Sequence, residues 1–192
     1  STFWGTYDLT IPTPGSYMVY PVAMAIAIGE KLRLSRSEII RGIEAYTPVG
    51  SRMNVIHAED ERIIIDDCYN ANPDSMSKAV ELCSSQEGNK VFVLGDMKEL
   101  GDKSVEAHAF IGNKLEKSKA DLIFLIGPEM KAANSQLSLG KKVVYYPEQS
   151  EQTIKNIAEK IISCATGNDV IAFKGSHSME VEKVIPEVVK NV

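Results

Sequence analysis

The chain has 192 residues, 44% hydrophobic and 24% charged, with a net charge of −5 at neutral pH. That is enough material for one substantial core plus an appended piece, and it excludes a disordered tail. The acidic balance and the lack of any Lys/Arg cluster argue against a binder of nucleic-acid backbone. In chain order, residues 6–11 (Thr6-Tyr7-Asp8-Leu9-Thr10-Ile11) alternate polar and apolar positions as a half-buried strand does, and Pro12, Pro14 and Gly15 end the run. The opening Ser1-Thr2-Phe3-Trp4 has no Met and already alternates, which predicts a piece cut from a longer protein. A helix rich in Ala and Met is expected over 17–32. A second opens at Ser35, where Glu38 has capping-box spacing, and carries Ile39, Ile40 and Ile43. Pro48-Val49-Gly50-Ser51 closes the pair and marks the expected boundary between a 1–49 module and a 50–192 domain.

Beyond Arg52, apolar strands alternate with amphipathic helices. Strands are expected at 53–58, 62–67, 90–95, 121–127, 141–146 and 169–174, the first two as a hairpin-like pair. Helical spacing of apolar residues predicts helices at 75–84, 105–117, 129–137, 150–164 and 180–189, with Asp74 or Ser75 as cap of the first. This pattern implies an α/β fold: a Rossmann-like, mostly parallel sheet with helices on both faces.

Cys68, Cys83 and Cys164 are odd in number and widely spaced, and no histidine stands at metal-ligand spacing from them, so a reducing, cytoplasmic location is expected. The longest apolar run, around 22–28, falls well short of the roughly 20 residues of a membrane span.

Ligands of such sheets bind beyond the carboxyl ends of the strands. The polar loops there are Asp66-Asp67-Cys68-Tyr69-Asn70-Ala71-Asn72-Pro73, then Gly95-Asp96-Met97-Lys98-Glu99-Leu100-Gly101, then Lys174-Gly175-Ser176-His177-Ser178. Each residue also has a plain structural reading. Arg52 suits a surface ion pair, Asp66 and Asp67 a strand end, Asn70 to Pro73 a turn, and Lys174-Gly175-Ser176 a βα turn. His108 reads as a helix-face histidine holding a loop rather than a proton shuttle. His57 has no partner in sequence. Cys68 lacks a neighbouring base that would mark it as a nucleophile.

Taken together, the run from Asp67 to Met76, the Leu94-Gly95-Asp96-Met97-Lys98-Glu99-Leu100-Gly101 run with His108 downstream, and Lys174-Gly175-Ser176 resemble the C-terminal domain of the Mur ligases. The likeness covers essentially the whole chain, with residues 1–49 resembling the end of that family's central ATPase domain. It implies an ATP-dependent amide ligase of peptidoglycan precursor synthesis, acting through an acyl phosphate on UDP-N-acetylmuramoyl-tripeptide and D-alanyl-D-alanine, and monomeric with mobile domains. Carried over from the family, Arg52, Asp67, Tyr69, Asn70 and Asn72 would contact ATP. Lys174, Gly175, Ser176 and His177 would line the dipeptide pocket, with Asp96 and Glu99 across the crevice orienting the dipeptide ammonium.

The family's phosphate loop, GxxxxGK[ST], is absent from this sequence, so ATP and Mg2+ are expected to be held mainly elsewhere and the isolated chain to be silent. The family's central domain also carries His-Asn-x-x-Asn, whose last Asn reads adenine. Here that run is Tyr17-Met18-Val19-Tyr20-Pro21, so adenine recognition is expected to come from another group or to be weaker. The Asp-Asn-Pro-Arg signature of the diaminopimelate-adding ligase is missing, which favours the dipeptide-adding branch. Two alternatives stand beside this reading. One keeps the fold with another substrate, as in folylpolyglutamate or cyanophycin synthetases; the other is a non-catalytic Rossmann-type nucleotide-binding module, although no GxGxxG follows the first strand.

Overall fold

The computed structural model describes residues 5–15, 18–48 and 50–189. The chain divides into two compact units, Ser1–Val49 and Gly50–Val192. Expectations at Ser1 to Trp4, Tyr17 and Val49 lie outside the described residues.

In the first unit, helix α1 spans Val19–Lys31 and α2 spans Arg36–Glu44. The capping box at α2 forms as expected: Ser35 accepts from the Glu38 N–H, and the Glu38 carboxylate takes the Ser35 N–H. Residues 6–11 form no strand. Their burial does alternate, with Tyr7 and Leu9 packing on the small core of Ile26, Ile39 and Ile43. The period of two reports which side chains are buried, whereas a strand also needs a neighbouring backbone, and no ladder partner pairs with 6–11 among the described residues. Side-chain ties hold the segment instead: Tyr7 donates to Glu30, and the Thr10 N–H to Glu44.

The second unit is a six-stranded sheet: β1 Asn54–His57, β2 Ile63–Asp67, β3 Lys90–Gly95, β4 Leu122–Ile126, β5 Val143–Tyr146 and β6 Val170–Lys174. The order is β1-β2-β6-β3-β4-β5, parallel throughout except for the antiparallel β1–β2 hairpin. Strands β3, β4 and β6 are buried along their whole length, as expected of strands covered on both faces. Helices α6 (Glu151–Cys164) and α7 (Val184–Val189) place Ile157, Ile161, Val184 and Val188 in one cluster with Val91, Val93, Phe124 and Phe173. Alternate strand residues Phe92, Leu94, Ile123 and Leu125 are equally buried, as are Met76, Ile111 and Met130 of α3 (Pro73–Ser84), α4 (Ser104–Lys117) and α5 (Met130–Asn134).

Two local expectations change. The cap of α3 is Asn72, not Asp74 or Ser75. Pro73 occupies the first helical turn and pushes the preceding residue into extended backbone, φ −140° and ψ 168°, which is the conformation of a cap. The continuous helix expected at 180–189 is instead two 3₁₀ turns, His177–Met179 and Val181–Lys183, leading into α7. Glu180, left-handed at φ 46°, separates them and lets both Met179 and Val181 turn into the core.

Candidate functional site

Because β6 is inserted between β2 and β3, the carboxyl ends of these three strands lie side by side. Three polar loops that are far apart in sequence thereby become neighbours. Asp67 and Lys174 are register partners on adjacent parallel strands, so their side chains share a face. They meet there, Lys174 Nζ standing 2.5 Å from Asp67 Oδ2. The ammonium, on a side chain only 2% exposed, also donates to the carbonyls of Asp67 (3.3 Å) and Asn70 (2.9 Å). The other Asp67 oxygen accepts the Met53 N–H at 3.0 Å.

The rim of the site is aromatic and cationic. The Tyr69 N–H donates to the Ser51 carbonyl at 2.8 Å, which draws the segment before β1 against the loop after β2. The guanidinium of exposed Arg52 lies over the Tyr69 ring, Cζ 3.5 Å from its centroid, and the His177 ring stacks beside Tyr69 at 6.0 Å and 29°. Arg52, Tyr69 and His177, from three separate stretches of sequence, thus form one exposed patch.

Asn70 and Asn72 are occupied with the backbone. Asn70 Oδ1 accepts the Ala71 N–H at 2.8 Å. Asn72 Oδ1 accepts the Ser75 N–H at 2.8 Å, while the Ser75 hydroxyl reaches back to the Asn72 N–H. Asn72→Ala is expected to cost about 1 kcal/mol in urea unfolding, with Asn72→Ser nearly neutral. Equal losses in the two variants would show that the side chain matters for something other than capping.

Asp96, expected to face the crevice, is fully buried. Its Oδ2 lies 2.7 Å from Lys98 Nζ and its Oδ1 accepts the Met130 N–H at 2.9 Å, so it positions Lys98 and the start of α5. Glu99 is exposed on a left-handed backbone, φ 64°. Ser176 is buried as a cross-link between loops: its N–H donates to the Asp96 carbonyl at 3.1 Å, and its hydroxyl accepts the Lys98 N–H at 2.8 Å. A Cβ at Gly175 would stand 2.9 Å from Val181 and 3.2 Å from the Gly95 Cα, so glycine lets the ends of β6 and β3 close up. Burial, followed by the Asp66 charge, pushes the Cys68 thiol far up, and burial pushes Cys83 up to about 12. Neither is a thiolate nucleophile near neutral pH.

A family model described as "Mur ligase, glutamate ligase domain" matches residues 51–177. The chain belongs to the Mur ligase family. It is 34% identical over 179 residues to the UDP-N-acetylmuramoyl-tripeptide--D-alanyl-D-alanine ligase of Treponema pallidum, covering 93% of this chain and 38% of that protein. Among solved structures, MurF from Acinetobacter baumannii is 28% identical with a TM-score of 0.88, over 98% of this chain and 41% of that one. MurF ligase from Thermotoga maritima in complex with ADP is 25% identical with a TM-score of 0.77, over 93% and 39%. The chain therefore spans about two fifths of the length of the relatives it matches.

This Mur ligase chain also holds a network that motif spacing did not reveal. Lys98 bridges Asp96 and Glu129, and Glu129 takes the hydroxyl of Ser104. Burial lowers the Lys98 ammonium, but Asp96 and then Glu129 outweigh it and leave its pKa above the usual lysine value. The Ser104 hydroxyl, with Lys98 acting against the effect of burial, holds the Glu129 carboxyl below the usual range. His108, fully buried, accepts the Met97 N–H at Nε2 (3.0 Å) and donates from Nδ1 to the Ser104 carbonyl (2.7 Å). That is the loop-holding histidine expected of a helix face. Glu129 follows β4, and its position after a strand was the one available signal. Among the described residues, no group of three or more His, Cys, Asp or Glu is placed to hold a metal ion. No helix among them is long and apolar enough to cross a membrane.

Proposed function

We propose that this chain is the C-terminal part of an ATP-dependent ligase that joins D-alanyl-D-alanine to UDP-N-acetylmuramoyl-tripeptide. In this reaction a carboxylate of the tripeptide takes the γ-phosphoryl group of ATP, releasing ADP. The dipeptide amine then attacks the acyl carbon, forming the amide and releasing phosphate and a proton. The observation that carries the reading is the insertion of β6 between β2 and β3, which sets the Arg52–Asp67–Tyr69 wall beside the Lys174–His177 loop.

In this reading the nucleotide meets Arg52 through paired donors and Tyr69 through the edge of its loop. Asp67 suits ribose hydroxyls: an ionised carboxylate has about four acceptor positions and only two are taken by Met53 and Lys174. Asn70 and Asn72 shape that loop. The dipeptide lies toward Gly175, Ser176 and His177, and Glu99 is the exposed acid available to its ammonium. Residues 1–49 are the end of a central ATPase domain, and 50–192 the C-terminal domain that closes over ATP. The phosphate loop and the site for Mg2+, which when bound neutralises phosphate charge, belong to the rest of the longer protein. That protein works in the cytoplasm as a monomer. The names of the relatives favour this substrate pair over folylpolyglutamate- or cyanophycin-type substrates and over a non-catalytic nucleotide-binding module.

The test is phosphate release by the full-length protein. Release is expected only with ATP, the muramyl tripeptide and D-alanyl-D-alanine together, and residues 1–192 alone are expected to release none. Equal release with glutamate and a folate would overturn the substrate assignment.

A further inference from the structure

We infer that Asp67 and Lys174 form a positioning strut that makes the nucleotide wall and the acceptor loop one mechanical element. This rests on the ligase reading above and departs from the role carried over from the family at one point: Lys174, expected to line the dipeptide pocket, acts on both substrates through geometry and is not itself a ligand of the dipeptide.

A lysine ammonium has three N–H donors and no acceptor. All three have protein partners here, namely Asp67 Oδ2, the Asp67 carbonyl and the Asn70 carbonyl, and the side chain is 2% exposed. A ligand carboxylate would have to displace one of these bonds inside a closed setting. Asp67, by contrast, spends only two of its acceptor positions and its side chain keeps 18% exposure. The outward side of the pair is therefore the carboxylate.

The strut is continuous through named bonds. Arg52 is joined by the chain to Met53, whose N–H is held by Asp67 Oδ1. Asp67 holds Lys174, and two residues on Ser176 binds the Lys98 N–H and donates to the Asp96 carbonyl. Asp67 and Lys174 are register partners, so the tie spans the ends of adjacent, paired strands. A second and independent contact, the Tyr69–His177 stack, joins the same two loops at the surface. Displacing one loop must displace the other.

The experiment compares Lys174→Met, Asp67→Asn and the double variant in the full-length ligase, with initial rates measured against ATP and against D-alanyl-D-alanine. Lys174→Met is expected to raise both KM values together, each tenfold or more. Asp67→Asn, which retains an oxygen for the Met53 N–H, is expected to raise the dipeptide KM at least fivefold even though Asp67 lies on the nucleotide side. The double variant is expected to be no worse than the poorer single one. A rise confined to the dipeptide KM in Lys174→Met, or an unchanged dipeptide KM in Asp67→Asn, overturns the strut.

If Lys174→Met does not fold, the isosteric Asp67→Asn decides the matter. Hydrogen exchange on the full-length Asp67→Asn protein reads the strut without turnover. Exchange is expected to quicken at 51–53 and 174–177 together, and a change confined to one stretch counts against the proposal. The ligase reading is judged separately, by whether the unaltered protein needs both the muramyl tripeptide and the dipeptide.

Discussion

Arg52→Ala in the full-length ligase is expected to raise the KM for ATP while leaving that for D-alanyl-D-alanine nearly unchanged. The guanidinium lies over the Tyr69 ring, Cζ 3.5 Å from its centroid, a contact to the ring that does not itself use up the guanidinium's N–H donors. The ring thus holds a planar donor fork in place before any anion arrives. Losing a charge-assisted hydrogen bond costs about 1.5–3 kcal/mol, which corresponds to roughly 10- to 150-fold in affinity. Because Arg52 is exposed, the stability of the fold should change by no more than about 1 kcal/mol. Arg52→Lys keeps the charge without the fork and should recover only part of the loss. Steady-state kinetics at saturating dipeptide checks this, and an unchanged KM for ATP would remove Arg52 from the nucleotide wall. The expected rise in the KM for ATP alone would also separate Arg52 from Lys174, whose replacement should disturb both substrates.

Gly127→Ala should be the most damaging single-methyl change near the site. Gly127 has φ +113°, a region that L side chains rarely occupy, and an added Cβ would lie 2.4 Å from the Asp96 carboxylate. That carboxylate cannot retreat, since one oxygen holds the Met130 N–H at 2.9 Å and the other holds Lys98 at 2.7 Å. Backbone strain and overpacking each contribute about 1–3 kcal/mol, so a loss of about 3 kcal/mol or more is expected in urea unfolding. A loss below about 1 kcal/mol would mean that Asp96 gives way easily, and the rigid anchoring argued for it would fail. In the full-length ligase the same change should slow turnover, because Asp96 positions Lys98 and accepts the Ser176 N–H.

Much of the fold was legible in the sequence. The apolar runs became β2, β3, β4 and β6 with their ends shifted by no more than a residue or so, because buried parallel strands need continuous Val, Ile, Leu and Phe. The box at Ser35 formed because its bonds lie within four residues of one another. Local rules failed where a partner lay elsewhere. Residues 6–11 alternate in burial without a ladder, and the helix expected at 180–189 breaks at Glu180 so that Met179 and Val181 both meet the Gly95–Gly175 floor.

The candidate site divides in the same way. Sequence by itself determined the residue types that crowd the strand ends, and so the polar loops and the family they resemble, since side-chain chemistry and backbone propensity are local properties. Only the tertiary structure decided which of those residues meet. Nothing local to residues 66–73 or 174–178 states that β6 pairs with β2, yet that pairing buries Lys174 against Asp67 and stacks His177 on Tyr69. The turning of Asp96 inward, away from the crevice, likewise depends on β4 and α5 arriving beside β3 to offer it the Met130 N–H. Burial and pairing across the sheet are set by the packing of the whole chain, and at these strand ends they separate the groups that hold the site together from those left facing outward.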